Sequence, residues 1–303
     1  MKDSNTESKD AEDTFPSSPH PVYDSFFEQF KARMFGDLVR GIFCGAALSK
    51  IQQPANRNPF SSRVILENVR IETRSGDTLG AWTLYPAAAR PKKWALVLHG
   101  NCTNRYTFSQ LYDLETLVET GVCALVVDYR GFGDSEGRPS RSAFVEDVAA
   151  CMSYLKGKNA RRISILGYSL GSAIALDYLA NYYNRVKHRM TLKVGRIVLV
   201  SPFISTVALL REYKAWNLIE AVIPEISTYV RDGFGYDSLK SIKKVRMPIL
   251  VVHGEEDWVV PWTHGEALSI ASSSLFVKID KKSHITVFRD PDVWKRVNSF
   301  LTM

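Results

Sequence analysis

The chain has 303 residues, 45% of them hydrophobic and 23% charged, the balance of a soluble globular protein with one large core. Its 39 Lys and Arg exceed 32 Asp and Glu by seven charges, which favours anionic surfaces or substrates. No basic stripe is interleaved with aromatics as nucleic-acid binding requires, and no apolar run approaches the ~20 residues of a membrane-spanning helix.

Residues 1–21, rich in Ser, Asp, Glu and Pro, read as a disordered polar tail without the apolar centre of a secretory signal. The span 22–61 reads as an amphipathic helical segment, with Phe26, Phe30, Met34, Leu38 and Ile42 recurring at helical spacing up to Ile51. Such a helix either packs on the domain or lies in a membrane interface. The remainder, 62–303, is expected to be one catalytic domain.

Ser62 to Thr73 and Thr78 to Tyr85 alternate like two strands joined by a turn at Ser75-Gly76-Asp77. Five continuous apolar runs follow, at Trp94–Leu98, Cys123–Val127, Ile163–Leu166, Ile197–Val200 and Ile249–Val252, with a sixth at Leu275–Ile279. Continuous apolar strands are buried on both faces. Segments suited to helices lie between them, notably Phe108–Glu119, Ser142–Leu155 and Leu170–Tyr183. The alternation predicts an α/β fold with a mostly parallel central sheet flanked by helices. From 204 to 246 the rhythm breaks, and this long stretch, carrying Tyr213, Trp216 and Ile219, is expected to be a helical lid insertion.

Gly167-Tyr168-Ser169-Leu170-Gly171 stands between a strand and a helix, the context in which G-x-S-x-G presents a nucleophilic serine. A serine hydroxyl needs an adjacent base, and in this arrangement the acid and then the histidine follow in chain order. Of the six histidines, His20 lies in the tail and His188 in a basic loop, while His99 and His253 end strands as His-Gly pairs. His264 opens a helix, whereas His284 directly follows the last strand and is the expected base. Asp257 lies a few positions past the strand ending at Val252 and is favoured over Glu255 and Glu256 as the acid that orients the ring. The backbone N–H groups of Leu170 and Asn101 are the expected oxyanion donors. Tyr213, Trp216 and Ile219 are the candidate substrate-binding residues. The motif Asp128-Tyr-Arg-Gly-Phe-Gly-Asp-Ser135 reads as bracing beside the site.

Cys44, Cys102, Cys123 and Cys151 show no metal or redox spacing, so no metal or other cofactor is expected. Their pattern suggests a reducing compartment, and the protein is expected to be intracellular, cytoplasmic or peripherally membrane-associated. The basic residues at Arg185, Lys187 and Arg189, at 240–246 and at 278–282 read as solvated faces.

Together His99-Gly-Asn, the Asp128–Ser135 motif, Gly-Tyr-Ser169-Leu-Gly, Ser201-Pro-Phe and the segments around Asp257 and His284 resemble the α/β-hydrolase-domain serine lipases that act on monoacylglycerols and lysophospholipids. The resemblance covers roughly Arg63 to Leu301. It implies a cofactor-free serine esterase that takes lipid esters as its substrate partners, with peripheral membrane contact. A peptidase or amidase with the same triad, and a non-catalytic scaffold of the same fold, remain as alternatives.

Overall fold

The computed structural model describes residues 58–88, 91–187 and 191–303. The expected polar tail and nearly all of the amphipathic segment lie outside the described residues, as do His20, Cys44, His188 and Arg189.

Eight strands form one sheet in the order β1-β2-β4-β3-β5-β6-β7-β8. β1 (Val64–Glu72) and β2 (Thr78–Pro86) pair antiparallel around a turn in which Gly76 adopts φ +90°, a conformation that L side chains rarely take. β2 also runs antiparallel to β4 (Cys123–Val127). β3 (Lys93–Leu98), β5 (Arg162–Tyr168), β6 (Lys193–Val200), β7 (Ile249–Gly254) and β8 (Leu275–Ile279) complete the parallel part. β3, β4 and β7 are almost wholly buried, as their unbroken apolar sequence demands.

Side chains alternate across the sheet and divide the core in two. Leu96, Leu125, Ile165, Leu199 and Val251 enter the cluster on one face, and Val97, Val126, Leu166, Val198 and Val252 the cluster on the other. Truncating any of these central leucines to Ala would cost about 2–5 kcal/mol.

The expected single helix Phe108–Glu119 is two helices, α1 (Arg105–Leu111) and α2 (Leu114–Glu119). Tyr112 is extended at the break, and the Asp113 side chain accepts from Thr116 N–H to cap the second helix. Tyr112 instead fills the core, with its hydroxyl on Asn298 Oδ1 at 2.5 Å. α3 (Arg141–Gly157) is capped by Ser140, and α4 (Leu170–Asp177) continues as a π-helical stretch over Tyr178–Tyr183.

The insertion between β6 and β7 holds α5 (Thr206–Arg211), α6 (Lys214–Val222), α7 (Ile226–Phe234) and α8 (Ser238–Ile242). Leu210, Trp216, Ile226, Val230 and Phe234 tie it into the main core. α9 (Trp262–Ser272) and α10 (Pro291–Thr302) follow β7 and β8.

Candidate active site

β3 leads to β4 on one side of the sheet while β5 starts the other side, so the carboxyl ends of β3 and β5 flank the point where the strand order reverses. Open parallel sheets bind ligands at that place. Ser169 directly follows β5, and His99-Gly100-Asn101 directly follows β3.

Ser169 has φ +51° and ψ −113°, a conformation a non-glycine residue holds only when its surroundings enforce it. Its N–H donates to the Val200 carbonyl at 2.8 Å, and its own carbonyl accepts from Ser172 N–H at 3.0 Å. The flanking glycines allow this turn. A Cβ on Gly167 would lie 2.7 Å from the Gly171 carbonyl oxygen, and one on Gly171 would collide with the Leu98 carbonyl. The turn therefore presses α4 against the end of β3, with Ser169 partly exposed at its crest.

Asp257 and His284 come together. Nδ1 of His284 lies 2.7 Å from Asp257 Oδ2, and Val259 and Val260 N–H donate to Oδ1 at 3.0 and 2.8 Å. Burial alone would raise the Asp257 pKa, but the hydrogen bonds from His253 and His284 outweigh it and hold the carboxyl well below its ordinary range. The ionised carboxylate keeps the proton of His284 on Nδ1, which leaves Nε2 with its lone pair. Tyr168 joins this pair to the serine turn: its ring lies 5.0 Å from the imidazole, and its hydroxyl donates to the His284 carbonyl at 3.1 Å. Among the described residues no hydrogen bond links Ser169 Oγ to His284. Such contacts are often long before substrate arrives.

Of the two expected oxyanion donors, Leu170 directly follows the serine and the chain leading to Asn101 passes close to it. Leu170 is the first residue of α4, where helical N–H groups have no partner within the helix. A Cβ built on Gly100 would lie 3.4 Å from the Ser169 Cβ, which places the chain entering Asn101 beside the serine. The Asn101 Oδ1 is buried and unpaired.

Of the three candidate substrate-binding residues, Tyr213 and Ile219 are exposed, and Tyr213 donates its hydroxyl to the Val259 carbonyl at 2.7 Å. Trp216 turns inward and is buried in the core. Outside the expected set, Leu218 and Val222 of α6 are 71% and 80% exposed, Trp258 beside Asp257 is 76% exposed, and Ile285 beside His284 is exposed as well.

Two participants escape sequence reasoning. His253 Nε2 lies 2.8 Å from the Val260 carbonyl and 3.3 Å from Asp257 Oδ2, so the acid faces two imidazoles. Arg105 pairs with Asp128 and, at 2.7 Å, with Asp134, while its N–H donates to Asp128 at 2.6 Å. The Asp128–Ser135 motif could have announced an arginine partner, because its two buried or half-buried carboxylates need one. Arg130 of the same motif reaches Asp147 at 2.7 Å, Glu146 at 2.6 Å and Asp77 at 3.1 Å. Tyr129 donates its hydroxyl to the His99 carbonyl at 2.8 Å, so the motif holds the strand end before Asn101. His264 accepts from Ile204 N–H at 3.2 Å and ties α9 to the insertion.

No group of His, Cys, Asp and Glu suited to a metal ion occurs among the described residues, and no described helix is long and apolar enough to cross a membrane.

Residues 94–218 match the family described as alpha/beta hydrolase fold. The chain is 27% identical to YfhR of Salmonella typhimurium over 231 residues, covering 73% of this chain and 75% of that protein. It is 25% identical to the lysophosphatidylserine lipase ABHD12 of Danio rerio over 226 residues, 66% of this chain and 57% of the relative. Among solved structures, the esterase Pf2001 of Pyrococcus furiosus superposes with a TM-score of 0.63 at 20% identity, over 82% of this chain and 96% of that one. In sequence and in architecture the chain has the α/β-hydrolase fold, and in sequence it is similar to a lysophosphatidylserine lipase.

Proposed function

We propose that the protein is a serine hydrolase that cleaves carboxylic esters of lipids, of the monoacylglycerol or lysophospholipid type, through an acyl-enzyme on Ser169. The observation that carries the reading is the Asp257–His284 pair beside a strained serine turn. His284 Nε2 takes the Ser169 proton as Oγ attacks the ester carbonyl. The N–H groups of Leu170 and Asn101 face the charge that grows on the carbonyl oxygen. The imidazolium, stabilised by Asp257, then protonates the leaving alcohol; in the second half the ring deprotonates water, which releases the acid and restores Ser169.

An apolar acyl group suits the surroundings. Leu218, Ile219 and Val222 are exposed on α6, and Trp258 and Ile285 are exposed beside the acid and the base. Exposed large apolar side chains grouped about a site gain by covering an apolar ligand. The similarity to the zebrafish lysophosphatidylserine lipase supports the same substrate class.

Labelling with a fluorophosphonate probe tests the nucleophile. Wild type is expected to label and Ser169→Ala to remain unlabelled; labelling of Ser169→Ala, or none of wild type, rejects this mechanism. Faster turnover of long-chain than acetyl esters of one alcohol supports the lipid reading, and equal rates on matched esters and amides would favour an amidase.

A further inference from the structure

At the sheet edge opposite Ser169, the strand starts carry unbalanced charge. Lys93, Arg162 and Lys193 stand in lateral register, Lys93 against Arg162 and Arg162 against Lys193. Adjacent strands are about 4.8 Å apart, so three cations are aligned side by side at a cost to folding. No Asp or Glu occurs in 91–93, 156–164 or 191–196 to offset them. Among the described residues Lys93 and Lys193 donate only to backbone carbonyls, of Thr302 at 2.9 Å and of Lys187 at 3.5 Å. Carbonyl oxygens satisfy a donor without cancelling its charge.

The residues just before this row open onto a cavity of about 310 Å³, lined among the described residues by Lys92, Arg161 and, from the last turn of α3, Lys156, together with Asn159, Ala160 and Thr191. Among the described residues none of its three cations is in an ion pair. The wall is fixed by backbone: Asn159, at φ +57°, donates its N–H to the Lys156 carbonyl at 3.1 Å, and Lys193 N–H donates to the Arg161 carbonyl at 3.2 Å. Among the described lining residues an amide and a hydroxyl thus stand beside three cations that carry no ion pair, and Ala160 is the one apolar residue.

We propose that this cavity is a second binding site, for a phosphate-bearing ligand. A phosphate monoester or pyrophosphate offers several acceptor oxygens and two or more negative charges, which suits a guanidinium fork and two ammonium groups better than a carboxylate does. The strands put the site about 20 Å from Ser169, six residues of β3 at about 3.3 Å each, so its ligand does not meet the ester-cleaving groups. The proposal does not depend on the hydrolase reading.

Calorimetric titration of the full chain with sodium pyrophosphate at constant ionic strength tests it. Wild type is expected to bind one equivalent saturably. Lys156→Gln with Arg161→Gln should weaken binding about tenfold or more, since each removes a charge-assisted contact. Lys295→Gln with Arg296→Gln removes the same charge from α10 and should leave binding unchanged. Melting midpoints and fluorophosphonate labelling should match wild type in both variants, and Lys92→Gln alone replaces the first pair should it fail to fold. Equal weakening in both variants, or no saturable binding, overturns the proposal. Phosphatidylcholine vesicles with and without phosphatidylinositol 4-phosphate distinguish the sources. Recruitment that the first pair abolishes identifies a lipid headgroup, and pyrophosphate binding without recruitment identifies a soluble ligand; equal recruitment by phosphatidylserine vesicles would mean diffuse attraction and overturns the site.

Discussion

Nδ1 of His284 lies 2.7 Å from Oδ2 of Asp257, on a carboxylate whose other oxygen already accepts two backbone N–H groups. That carboxylate is oriented before the imidazole arrives, so it selects the ring tautomer as well as its direction. Asp257→Asn should preserve the loop but offer an amide where an ionised acceptor is needed. Turnover of an ester substrate is expected to fall about 10⁴-fold, with a melting midpoint close to wild type. A fall of less than tenfold in a steady-state assay would remove Asp257 from the proposed mechanism.

Gly171 tests the serine turn separately from its chemistry. A Cβ there meets the Leu98 and His99 carbonyls, both backbone atoms that cannot swing aside. Gly171→Ala is expected to destabilise the protein by about 3 kcal/mol in urea unfolding and to reduce labelling of Ser169. Gly157 at the end of α3 has nothing within 4 Å of its Cβ position. Gly157→Ala should stay within about 0.5 kcal/mol of wild type.

His99 gives a pH dependence of defined sign. It is fully buried, and burial pushes its imidazole down to about 4. In the unfolded chain the ordinary value is about 6.5. Between these values the unfolded state binds the proton and the folded state does not. The stability is therefore complete above pH ~6.5 and is lost as pH falls towards 4, by about 3 kcal/mol in all. Asp128, which burial raises to about 6 against the pull of Arg105, offsets part of this loss by binding a proton over the same range. Urea unfolding of wild type and His99→Gln at pH 7 and pH 5 isolates the histidine. The gap in stability between the two proteins should narrow at the lower pH, and a constant gap would contradict the assignment.

The apolar face of α6 predicts a split in substrate response. Leu218→Ser with Val222→Ser removes two exposed apolar side chains on one helical face. The KM for a long-chain ester is expected to rise about tenfold, from lost acyl burial. Values for an acetyl ester of the same alcohol should stay unchanged. Equal effects on both esters would place the acyl chain elsewhere.

Much of the framework is written locally in the chain. Cys123–Val127 and Ile249–Val252 are apolar without interruption, which only a strand covered on both faces requires, and G-x-S-x-G between strand and helix marks Ser169. The order serine, Asp257, His284 along the chain allowed these three residues to be named together. Local periodicity fails at Phe108–Glu119, where one helical pattern becomes two helices because Asp113 caps the second and Tyr112 is worth more in the core.

Contacts between distant segments are where sequence reading ends. Nothing near His253 in the chain signals that its ring shares the Asp257 carboxylate with His284, and nothing near Arg105 signals its ties to Asp128 and Asp134. Lys93, Arg162 and Lys193 are unremarkable in their own segments and become a row of like charges only when β3, β5 and β6 pair in register. The physical reason is common to all three. Side-chain periodicity is a property of neighbouring residues, and the sequence alone determined the strands and the residue types at their ends. Burial, register and electrostatic partnership are properties of segments far apart in the chain, and only the tertiary structure decided them.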